Sequence, residues 1–132
     1  TFVHPKFISN MDGHAYPASK LCYDLFLELV DITDMDLISC LGLISDMGYK
    51  HWKDFVDKTM KRYKVDVKDD VFSSDFGTAT KNISSAKRFS DNAEKVFEIV
   101  YEAKSYKELV NNEFLLGCKN NFSLSCKKLF RE

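Results

Sequence analysis

Apolar side chains recur at helical spacing along most of this chain. In PASKLCYDLFLELVD, Leu21, Cys22, Leu25, Phe26, Leu29 and Val30 fall in two adjacent i, i+4 rows that form one broad stripe. Pro17 and Ser19 suit the start of that helix. Asp31 to Asp36 break the pattern, and Thr33-x-x-Asp36 has the spacing of a capping box with Asp in place of Glu. Leu37, Cys40, Leu41, Ile44 and Met47 form a second stripe, with Gly48 placed as its C-terminal cap. The connection is short, so the two helices are expected to pack antiparallel.

A third stripe runs through YKHWKDFVDKTMKRYK, where Trp52, Phe55, Val56, Met60 and Tyr63 share a face opposite the Lys and Asp residues. Val65 and Val67 alternate with polar residues and read as an extended crossing. Phe76, Ala79, Ile83 and Ala86 fit a fourth helix, weakened by Gly77 and nearby β-branched residues. Ala93, Val96, Phe97, Val100 and Tyr101 give a fifth, entered through Asp91-x-x-Glu94. Ser105-x-x-Glu108 restarts the helix, Leu109, Val110 and Phe114 continue inward to Gly117, and Phe122, Cys126, Leu129 and Phe130 mark a short terminal helix. The pattern predicts an all-α protein, an irregular bundle of six or seven helices in a single domain over residues 1–132, with 1–16 a less ordered N-terminal segment.

Composition agrees with helices. Gly and Pro together number only seven in 132 residues, too few for a turn-rich β architecture. No apolar run approaches the ~18 residues of a membrane span. The first residues lack a signal-peptide pattern, so a secreted form would be the mature one. The net charge of −1 hides an asymmetry. Residues 1–48 hold seven acids and two bases; residues 49–132 hold seventeen bases and thirteen acids. The bases are interleaved with acids, which does not make a nucleic-acid surface. An acidic hairpin beside a basic remainder can steer a protein partner.

The cysteines are Cys22, Cys40, Cys118 and Cys126, with no C-x-x-C and no tight ligand pair, so neither zinc nor a thioredoxin-type site is expected. An even count in a small chain points to two disulfides that staple the bundle. Across the first hairpin Cys22 and Cys40 come nearly level, which favours Cys22–Cys40 with Cys118–Cys126; the two cross-pairings stay open. The sequons at Asn82 and Asn121 are candidate glycosylation sites and tilt the reading toward the extracellular side.

Catalytic chemistry finds little footing. His4, His14 and His51 have no nucleophile or acid at a recognisable spacing. GTATKN lacks the second Gly and the Lys-Ser/Thr pair of a phosphate loop, and VDITDMD lacks the central Gly and distant Glu of a calcium loop. No enzyme activity, cofactor or metal is expected. The stripes are about as wide as a closed core requires, and none is in excess, which favours surface recognition over an internal cavity. The basic positions of the third helix, Lys50, Lys53, Lys61 and Arg62, are the candidate partner contacts.

In layout, the helices bearing Cys22 and Cys40, the late pair Cys118 and Cys126 seven residues apart, and the Phe-containing end at Phe130 resemble small secreted helical proteins of insects. These are the odorant-binding group and the salivary effectors of blood-feeding flies. Odorant-binding proteins usually carry six cysteines with a close early pair, which is absent here. The resemblance implies a secreted, non-enzymatic protein that engages and inhibits an extracellular partner, such as a host haemostatic, complement or inflammatory component. The alternative it implies is a carrier of a small apolar ligand between helices.

Overall fold

The structure, a computed structural model, describes residues 4–7, 9, 11–13, 15–66, 70–89 and 93–120. Among the described residues there are seven α-helical segments and no strand, as the periodicity predicts. The chain divides into two compact units, Thr1–Ser74 and Asp75–Glu132.

The first unit is built around α2 (Asp36–Ser45), which packs against α1 (Ala18–Leu27) and α3 (Lys53–Arg62). Its apolar residues lie almost all round the helix, and Leu37, Cys40, Leu41, Leu43 and Ile44 are buried. A helix apolar on most sides needs neighbours on most sides. α1 starts where the sequence places it: the Pro17 carbonyl accepts from Lys20 N and Leu21 N at 3.1 and 3.0 Å. The antiparallel seam with α2 is set by Gly42, where a Cβ would overlap the Ser19 side chain. Val56 and Met60 of α3 are buried, with Trp52, Phe55 and Tyr63 half-buried beside them.

Two helix ends differ from expectation. Gly48 does not supply the left-handed residue after α2; Met47 does, at φ 62°. Gly48 instead lets the backbone close on Pro17, whose Cγ would lie 2.6 Å from an added Cβ. The Thr33–Asp36 box is not formed. Asp31 accepts from Thr33 N at 3.1 Å and Thr33 Oγ1 at 2.8 Å, while Asp36 is buried and turned to α3. α3 ends in a Schellman motif: Lys64 is left-handed at φ 56°, Lys64 N donates to Lys61 O, and Val65 N donates to Met60 O.

The second unit holds α4 (Asp75–Phe89), α5 (Ala93–Glu102), α6 (Tyr106–Asn111) and helical residues 113–120. α4 packs against α5 and α6. Phe76, Ala79 and Ala86 of α4 are fully buried, and Phe76 meets Tyr106 edge to face at 5.4 Å. The restart at Ser105 is real: Ser105 Oγ and Lys104 N both donate to the Glu108 carboxylate at 3.2 Å. Asn112 caps the next segment by accepting from Leu115 N at 3.2 Å. On α5 only Val96 is buried; Phe97 and Tyr101, expected in the core, face outward and stack on each other at 5.9 Å. The Asp91 cap, Val67 and the terminal helix from Phe122 lie outside the described residues.

Candidate functional site

The main departure from the sequence reading is on α1. Of its stripe only Leu21 is buried. Cys22 and Leu25 are exposed, and so are Phe26 at 55%, Leu29 at 76% and Val30 at 55%. The helix ends at Leu27, and Leu29 N and Val30 N close its last turn on the Phe26 carbonyl. The stripe that looked sufficient for a core is therefore in excess of it.

These side chains adjoin an open groove of about 240 Å³ between α1 and the start of α2. Cys22, Tyr23 and Phe26 form one wall, Ile32, Met35 and Ile38 the other, and Ser19 and Ser39 complete the lining. Both serine Oγ atoms are buried without a hydrogen-bond partner. Close by in sequence Glu28, Asp31 and Asp34 are exposed, and residues 21–49 contain no Lys or Arg, although Arg62 of α3, half exposed, reaches the Thr33 carbonyl. The Thr33 amide, and then its hydroxyl, hold the Asp31 carboxyl below the usual carboxylate range, which keeps it charged.

The structure does not support the expected Cys22–Cys40 staple. Cys22 and Cys40 are free thiols, one exposed and the other 0% exposed. The reason is register. With Ser19 opposite Gly42, Cys22 stands level with Ser39. Cys40 is one residue on, turned about 100° around the helix into the core. Burial pushes its thiol well above the ordinary range. Cys118 is also unbonded, and Cys126 lies outside the described residues.

Asn82 is 0% exposed. Its Nδ2, the atom a glycan would occupy, donates to Val110 O at 3.1 Å and Leu109 O at 3.5 Å. This amide joins α4 to the end of α6, and a sugar there is incompatible with the fold. Asn121 and His14 lie outside the described residues.

The four basic candidates do not form one surface. Lys50 and Lys53 line an open depression of about 480 Å³ with Lys20, His51 and Trp52, at the start of α3. Lys53 also pairs with Asp57 one turn on. Lys61 and Arg62 lie at the other end of α3, about 15 Å away for ten residues. Arg62 serves the fold: its Nη1 donates to Asp36 Oδ2 at 2.9 Å and Thr33 O at 2.6 Å. Tyr63 donates to the other Asp36 oxygen at 3.1 Å, so α3 clamps the first turn of α2.

Lys20, unremarked in the sequence, is 4% exposed. Its ammonium pairs with Asp24 and lies 4.3, 4.7 and 5.7 Å from the ring centroids of Trp52, Phe55 and Tyr23. Tyr16 donates to the second Asp24 oxygen at 2.5 Å, and Trp52 Nε1 donates to Ala15 O at 2.7 Å. Burial, then the hydrogen bond to Asp24, raise the Tyr16 hydroxyl far above its ordinary range. The cage is filled by the chain's own lysine, so it ties Ala15 and Tyr16 to α1 and α3.

Among the described residues no three His, Cys, Asp or Glu side chains come together to hold a metal ion, and no helix is long and apolar enough to cross a membrane. No family model, curated protein or solved structure matches the chain.

Proposed function

We propose that the chain is a non-enzymatic binding protein that engages a partner protein through the exposed half of α1 and the groove beside it. The carrying observation is that Phe26, Leu29 and Val30 stand in solvent next to a groove walled by apolar side chains. A contiguous apolar surface of this kind marks an interaction site. Among the described residues the groove is lined by apolar side chains, Cys22, Ser19 and Ser39, a surface suited to contact rather than to proton transfer. Blocking follows from such docking without any chemistry, since a partner surface held here is covered.

The carrier reading has less behind it. Ligand pockets are usually enclosed and about 300–1,000 Å³, whereas this groove is open and about 240 Å³. The extracellular setting rested on paired cysteines and sequons; free Cys22 and Cys40 and buried Asn82 do not add to it. The proposal stands apart from compartment.

The experiment compares the intact chain with Leu29→Glu as baits in tissue fluid. Leu29 is exposed, so the variant folds. A protein retained by the intact chain and reduced at least tenfold on Leu29→Glu supports the proposal. Identical captures on the two baits overturn it.

A further inference from the structure

We draw no further inference here: the strongest candidate, the open apolar groove between α1 and the start of α2 with the exposed Phe26, Leu29 and Val30 beside it, belongs to the site already described, and nothing in the structure shows what covers it.

Discussion

The described residues of the two units show different polar ties between helices. In Thr1–Ser74 two carboxylates gather the polar ties: Asp24 with Lys20 of its own helix and with Tyr16 before it, and Asp36 of α2 with Arg62 and Tyr63 at the end of α3. Among the described residues, the two non-glycine residues with positive φ, Met47 and Lys64, belong to this unit, and so does the uncovered stripe of α1. Among the described residues of Asp75–Glu132 a buried amide, Asn82, joins α4 to α6 beside a core that includes Phe76, Leu109 and Leu115. The first unit leaves several apolar side chains of α1 outside its core and fixes part of its geometry with polar ties. Buried ionic ties add little net stability but strongly disfavour arrangements that leave them unpaired. A unit organised this way can expose a hydrophobic surface without collapsing onto it, which is what a docking surface requires.

The largest effect should come from breaking one such tie on one side only. Asp24→Asn leaves the Lys20 ammonium buried without its counter-charge and should cost about 3 kcal/mol, the low end for a buried pair because Asp24 is partly exposed. Lys20→Met keeps the apolar stem among Trp52, Phe55 and Tyr23 and should stay within about 1 kcal/mol of the parent. Urea midpoints followed by Trp52 fluorescence give both values; equal losses would mean that the charge is not what matters. Alkali probes the same tie. The Tyr16 hydroxyl is raised in the folded chain, so its contribution is complete below the ordinary tyrosine range and lost as pH climbs beyond it. Trp52, whose ring lies tilted against that of Tyr16 at 4.8 Å between centroids, reports that loss.

How much of this was readable beforehand follows the same division. Helical class and the buried face of α3 were legible because Val56 and Met60 recur one turn apart against a charged opposite face. Periodicity shows which residues share a face, but not whether another helix covers it. That is why the α1 stripe and the Phe97–Tyr101 pair were read as core and are surface. The Cys22–Cys40 pairing is not supported because of register, which hangs on the small residues Ser19 and Gly42 rather than on the cysteines. The Lys20–Asp24 spacing of four was visible, although two of the three rings around it, Trp52 and Phe55, come from residues some thirty positions on. Arg62 meeting Asp36 across twenty-six positions left no local trace. Asn82 did: it lies three residues after Ala79 and four before Ala86, on the row that α4 buries.

The second unit supplies the next test. Asn82→Ala removes the donor to Val110 O and Leu109 O and opens a small cavity in a fully buried position. The loss should be about 2 kcal/mol. Because the tie joins α4 to α6, amide exchange in those two helices should rise more than in α5. A uniform rise across all three would show that the amide sets global stability rather than this one junction.

The smallest effect sharpens the contrast from the side of strain. Lys64 holds the left-handed position of the Schellman motif that ends α3, a place glycine fills without a Cβ penalty. Its side chain is exposed, so Lys64→Gly gives up little contact. Relief of the backbone penalty, about 1 kcal/mol for an L-residue in this region, is set against the greater freedom of glycine in the unfolded chain, roughly 0.5 kcal/mol. A net gain of roughly 0.5 kcal/mol is expected, read as a small rise in urea midpoint with an unchanged slope. Stabilisation here would show that the first unit carries strain that its buried ties hold in place. Destabilisation would mean that the Lys64 side chain contributes to the fold, and that strain does not distinguish this unit from the other.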